Sequence, residues 1–238
     1  MSDPVLVLLH SPLVGALTWE PVADVLRADG RRVVVPSLVS ALSGPGPYRP
    51  AYASAAARSV AGEDARTVVL VGHSAAGTHL PEVAAALEEA GTEVVGAVHA
   101  DASLPHPGRS WSEAAPRDLR DLVRAMARDG FLPPWHTWFP DGTLEALLPD
   151  PDLRERFRAD VPSVPAAYLE ETAPDLPDPD HTAYLQLSAA YQDRGGEAAR
   201  VGRPTRRLDL HHLAPLTHPE AVAAALADLL PAVQAAER

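Results

Sequence analysis

The 238-residue sequence contains no cysteine. That removes disulfides, thiolate metal sites and a cysteine nucleophile together, and it fits a reducing compartment. Lysine is missing too. All 20 basic residues are arginine, which excludes Schiff-base chemistry on a lysine amine. They face 32 acidic residues, for a formal net charge of -12. A phosphate backbone would be repelled, so nucleic acid is not an expected partner. No apolar run approaches the ~18 residues of a membrane span. The opening "MSDPVLVLLH" has no basic stretch ahead of its apolar one, as a secretory leader would. The expectation is a cytoplasmic protein without a membrane partner. No His, Asp and Glu residues fall at metal-ligand spacing, so neither metal nor cofactor is expected.

What is present alternates. Short apolar runs at 5–10, 32–37, 67–73, 93–100, 183–188 and 205–210 read as strands, and the first, third and fourth are nearly continuous Val and Leu. Such runs suit parallel strands buried on both faces. Helical patterns lie between them at 19–29, 51–61, 77–90 and 219–235. The last follows Thr217-x-x-Glu220, which predicts a capping box. Strands alternating with helices predict a doubly wound, mostly parallel α/β sheet.

Residues 104–180 break this rhythm. They are proline-rich, hold Trp111, Trp135 and Trp138, and show no buried strand pattern. Helical pieces are expected near 112–128, 142–148, 151–158 and 164–170. The stretch is expected to be a helical cap inserted in a core formed by 1–103 and 181–238.

The chemistry centres on Gly72-His73-Ser74-Ala75-Ala76-Gly77. This run joins the strand pattern "VVLV" to the helix pattern "THLPEVAAALEEA". A serine on a sharp strand-to-helix turn needs small residues two before and two after it, and Gly72 and Ala76 meet that need. The turn also puts Ser74 at a helix start, where free N–H groups can stabilise an oxyanion. The plain alternative is that Ser74 only caps the helix.

In these features the chain resembles the α/β-hydrolase superfamily, in particular its capped branch of small esterases, hydroxynitrile lyases and haloalkane dehalogenases. The likeness covers residues 1–103 and 183–235. It implies a Ser–acid–His triad with the histidine last. Relatives look like "H-F-P-M-L-x-x-P" after the last strand. Here the chain reads His212-Leu213-Ala214-Pro215-Leu216-Thr217-His218-Pro219, which places the base at His212 ahead of His211. His73 is expected to be a packed neighbour, and His10 to support the loop after the first strand. The usual slot for the acid falls on Tyr191, which cannot serve, with Asp193 two residues on. The dehalogenase-like location falls on Asp101, which is preferred over Asp193. Asp180 and Asp209 are weaker candidates.

The resemblance also implies a second oxyanion donor after the first strand, where esterases look like "HGAxxGAxxW". This chain reads "HSPLVGALTW", so proline 12 stands where a backbone N–H is needed and has none. The expected donors are therefore the Ala75 N–H together with Leu13 N–H or the Ser11 hydroxyl. Trp111, Trp135, Trp138 and Phe139 are expected to line an apolar substrate pocket, with Phe131 and His136 the other large side chains of the cap. The resulting expectation is a serine hydrolase of the esterase, thioesterase or lactonase type, acting on a hydrophobic small-molecule ester. Its alternatives are a lyase or acyl transferase on the same fold, and a ligand receptor with a nearly silent triad.

Overall fold

The computed structural model describes residues 3–63 and 65–234. Its described strands are β1 (Val5–Leu9), β2 (Val33–Val34), β3 (Thr67–His73), β4 (Glu93–Ala100), β5 (Phe131–Leu132), β6 (Val164–Pro165), β7 (Thr182–Gln186) and β8 (Thr205–Arg207). The α-helices are α1 (Glu20–Ala28), α2 (Tyr48–Val60), α3 (Leu80–Glu89), α4 (Trp111–Ala114), α5 (Arg117–Met126), α6 (Thr143–Leu147), α7 (Pro151–Asp160), α8 (Gln192–Arg200), α9 (Ala214–Thr217) and α10 (Pro219–Val233).

Successive side chains on a strand point to opposite faces, so a run of Val and Leu feeds two cores at once. Val5, Val7 and Leu9 of β1, with Val68 and Leu70 of β3, pack against α2 and α3. Leu6, Leu8, Val69 and Val71 pack against α1 and α10 on the other face. The resulting sheet has the order β2-β1-β3-β4-β7-β8, and every pairing in it is parallel. The end strands are shorter than the sequence pattern suggests. β2 keeps two residues of 32–37, and β8 keeps three exposed residues of 205–210, two of them arginine. Short, charged edges resist pairing with another chain.

Five expectations change. The helical piece anticipated near 164–170 is instead strand β6 followed by a 3₁₀ turn, Ala166–Glu170. The helix anticipated over 77–90 begins with a tight 3₁₀ turn, Ser74–His79, and becomes α-helical only at Leu80. The helix over 112–128 is split by Pro116, which cannot continue a helix, into α4 and α5. Thr217 does not cap α10, because it is itself the last helical residue of α9; its hydroxyl meets His211 and His218 instead. The stretch 104–180 does contain strands. β5 and β6 pair antiparallel in a small sheet of their own, with Leu132 and Val164 buried. Of the helix predicted to end at 235, residue 235 lies outside the described residues.

The elements between β4 and β7 are fastened to the rest by carboxylates. Asp160, ending α7, accepts the Leu17 N–H at 2.9 Å. Glu171 accepts the Tyr48 and Arg49 N–H groups at 2.6 and 2.8 Å, capping α2, whose own N-cap residue is Pro47. A third apolar cluster joins Val14, Leu144, Leu148, Phe157, Val161, Leu213 and Leu216. It therefore ties the loop after β1 and helices α6 and α7 to the loop carrying His212.

Candidate active site

β3 ends at His73, and Ser74 follows it in the left-handed region with φ 59°. A non-glycine residue there stores roughly 1–3 kcal/mol of strain, held by its surroundings. Small residues make the turn possible. A Cβ on Gly72 would press on Leu80 and the Ala76 and Gly77 backbone, and one on Gly77 would collide with the Ser103 carbonyl. On the neighbouring strand β4, Asp101 repeats the pattern with φ 45°. Two adjacent parallel strands thus deliver a hydroxyl and a carboxylate at their C-terminal ends, where open α/β sheets bind ligands.

Asp101 is fully buried. Its Oδ1 accepts the Leu187 and Ser188 N–H groups, each at 2.9 Å, and its Oδ2 accepts the Ser188 hydroxyl at 2.7 Å. His212 Nδ1 lies 2.7 Å from the same Oδ2. Burial pushes the Asp101 carboxyl up, but the His212 hydrogen bond and charge and the Ser188 and Leu187 donors outweigh it and hold the group below the usual carboxylate value. It is a carboxylate at neutral pH. His212 therefore donates from Nδ1 and leaves Nε2 as an acceptor.

Two rings fix the imidazole of His212. His73 stacks on it at 4.4 Å between centroids, and Tyr191 stacks at 4.9 Å, tilted by only 7°. His73 also donates from Nε2 to the His212 carbonyl at 3.0 Å. Burial, then the His212 charge, pushes His73 down to about 3, so it stays neutral. Among the described residues, the Ser74 hydroxyl is hydrogen-bonded to the Tyr191 hydroxyl at 3.3 Å rather than to His212. Tyr191, which the sequence offers only as an unsuitable occupant of the acid slot, thus touches both Ser74 and His212. Its one sequence signal is that position, just past the end of a core strand.

The other residues singled out in the sequence lie elsewhere. His211 meets Thr217. Asp193 is exposed in the first turn of α8, Asp180 is exposed, and the exposed Asp209 pairs with Arg207. His10 bridges the Ser11 carbonyl and the Leu38 N–H beside the loop after β1. In that loop the Leu13 N–H points to the Ser11 hydroxyl at 3.2 Å.

A cavity of about 50 Å³ opens beside Ala75 and Leu13, and Trp111, Trp138, Val123 and Leu169 form much of its apolar wall. Trp135 and Phe139, expected in the same wall, are not among its lining residues. Trp135 lies over His212, with ring centroids 6.0 Å apart, and Phe139 packs edge-on against Trp135 with 41% of its surface exposed. Trp138, in the same turn, does line the cavity, and composition alone does not distinguish the three. A larger groove, about 1130 Å³, lies at the opposite ends of β3 and β4 and contains none of these residues. Among the described residues, no group of three or more His, Asp or Glu is arranged to hold a metal ion, and no helix is long and apolar enough to cross a membrane.

Residues 6–225 match the family model described as Alpha/beta hydrolase family. No curated protein matches the sequence. Several solved structures share the fold. An extracellular alpha/beta-hydrolase from a Paenibacillus species, described as sharing structural and functional homology with tobacco salicylic acid binding protein 2, superposes with a TM-score of 0.72 at 18% identity, covering 95% of this chain and 99% of that one. Tomato methylketone synthase I in complex with 2-tridecanone gives 0.69 at 15% identity over 97% and 98%. A pyrethroid hydrolase from Sphingobium faniae JZ-2 gives 0.65 at 19% identity over 95% and 97%.

Proposed function

Since the chain belongs to the alpha/beta hydrolase family, we propose that it is a serine esterase that uses Ser74, His212 and Asp101 on a small-molecule ester. The observation that carries this reading is the Asp101–His212 contact of 2.7 Å beside a serine held in a left-handed elbow. Asp101 holds the imidazole in the tautomer whose Nε2 accepts a proton. Ser74 Oγ attacks the ester carbonyl while His212 Nε2 takes its proton. The charge that develops on the carbonyl oxygen is met by the Ala75 N–H at the start of the turn, with Leu13 N–H as second donor once it leaves Ser11. His212 then gives its proton to the departing alkoxide, which leaves as the alcohol. Water, deprotonated by the same Nε2, attacks the acyl-enzyme; the acid departs and Ser74 regains its proton. No step calls on a metal or cofactor.

Tyr191 fits this cycle. Burial pushes its phenol up, so it remains a protonated donor. In the resting site its hydroxyl occupies Ser74, and substrate binding has to pass that hydroxyl to His212. A non-hydrolytic enzyme on the same scaffold, a lyase or acyl transferase, is the second reading. Two observations favour it: the Ser74–Tyr191 pairing, and a loop in which Pro12 has no N–H and Leu13 is engaged by Ser11.

Labelling with a fluorophosphonate probe, followed by mass spectrometry, separates the two. The esterase reading expects one adduct, on Ser74, absent from the correctly folded Ser74→Ala protein, together with a loss of at least ~10³ in turnover of activated esters. An unlabelled Ser74, or labelling of another serine, refutes it.

A further inference from the structure

The cavity beside Ala75 has a polar end that the catalytic cycle does not use. Arg49, Thr78, His106 and Tyr168 line it together with the apolar wall. Arg49 is 3% exposed. Its Nε donates to Glu82 at 2.5 Å and its Nη2 to the Thr78 carbonyl at 2.7 Å, while Nη1 donates to no group among the described residues. Glu82, itself buried, neutralises the guanidinium. His106 is 7% exposed and its Nδ1 meets the Arg109 carbonyl at 2.8 Å, so Nδ1 carries the proton and donates. Its Nε2 is then a bare acceptor, and it is buried without a partner. An orphaned buried acceptor is costly unless something supplies a hydrogen.

We infer that this cavity is an acyl subsite that selects a short hydroxyacyl group, the hydroxyl donating to His106 Nε2 and accepting from Arg49 Nη1. One hydroxyl oxygen has both capacities, whereas a methyl has neither. The Arg49–Glu82 pair leaves no net charge for a carboxylate to match, which favours a neutral polar group. Size agrees. At ~10–15 Å³ per water-sized unit, the cavity takes about four non-hydrogen atoms beyond the carbonyl held at Ala75. The inference rests on the esterase reading for which end of the ester enters here, and it extends that reading to substrate class.

The test compares kcat/KM for 4-nitrophenyl 3-hydroxybutyrate and 4-nitrophenyl butyrate. A site built around a hydroxyl discriminates strongly against the analogue that lacks it, so the expected ratio is at least ~10². His106→Asn keeps an amide donor near Nδ1 and removes the Nε2 acceptor, and the ratio should fall to within about three-fold of one. His106→Gln returns an oxygen to the position of Nε2 and should restore a ratio of about ten or more. A wild-type ratio near one, or a high ratio that survives His106→Asn, overturns the inference. Calorimetry on the Ser74→Ala protein supplies a second readout. 3-Hydroxybutyramide should bind measurably tighter than butyramide, and the difference should vanish when His106→Asn is added. If no ester turns over but this difference stands, the esterase reading has failed and the hydroxyl subsite has not. If esters turn over and the two amides bind alike, the reverse holds.

Discussion

Asp101 answers to four donors at once: His212 Nδ1, the Leu187 and Ser188 N–H groups and the Ser188 hydroxyl. It joins the end of β4 to the end of β7 while it orients the proposed base. Asp101→Asn is expected to lower kcat on activated esters by about 10⁴, because an amide disturbs the tautomer that His212 needs. Asp193→Asn, on an exposed helical turn, should stay within about two-fold. Steady-state kinetics on both variants decides the matter, and the opposite ranking would move the proposed acid to α8. Ser74 stands out in the sequence by its turn of small residues, whereas Asp101 and His212 are implied only by the resemblance; the structure brings Asp101 and His212 into contact and puts Tyr191 between His212 and Ser74. Arg49 and His106 were not legible. Neither has a local signal, and they meet only because α2 and the start of the 104–180 stretch fold over the same strand ends.

At the scale of elements, most of the sheet could be read from runs of Val and Leu, since burial on both faces leaves little choice of conformation. The ends could not. β2 and β8 lie on the edges, where fewer neighbours reward continuation, and β5 and β6 are only two residues each, too short for a period of two to show. Helix capping was also obscured. α2 has Pro47 at its N-cap, and its acceptor, Glu171, lies 123 residues from Tyr48 at its start in the chain. Glu171→Ala should therefore destabilise the fold by about 1–2 kcal/mol, the range for losing a helix cap. For a chain of this size that is a drop of roughly 2–8 °C in Tm. Thermal melts followed by circular dichroism would show it; an unchanged Tm would mean that Glu171 does not support α2.

For the whole molecule, the buried histidines set a limit in acid. His10 and His79 are lowered chiefly by burial, and His73 is pushed down by burial and then by His212 to about 3. Unfolded, each would titrate near 6.5, so below that pH the unfolded chain binds more protons than the folded one. Stability is fully present above pH ~6.5 and is lost as pH falls toward the folded values, at up to ~1.4 kcal/mol per pH unit for each histidine. His73 alone, at about 3, amounts to about 2 kcal/mol by pH 5, and His10 and His79 act in the same direction. Chemical denaturation followed by tryptophan fluorescence should show stability falling steadily as pH is lowered from about 6.5; a stability unchanged between about pH 6.5 and 4 would show that these rings accept protons in place.

The carboxylates of Asp160 and Glu171 carry a consequence for recombination. Residues 104–180 look like a cassette that could be exchanged between relatives to change what the enzyme accepts. Yet that cassette supplies the acceptor for the Leu17 N–H and the cap of α2, and Phe157 and Val161 share an apolar cluster with Leu213, next to His212. A chimera with a foreign cassette would leave the first loop and the α2 start without their acceptors, unless matching carboxylates came with it. Inheritance of the proposed site is therefore joint: the stretch proposed to shape specificity and the core proposed to hold the reacting groups have to change hands together.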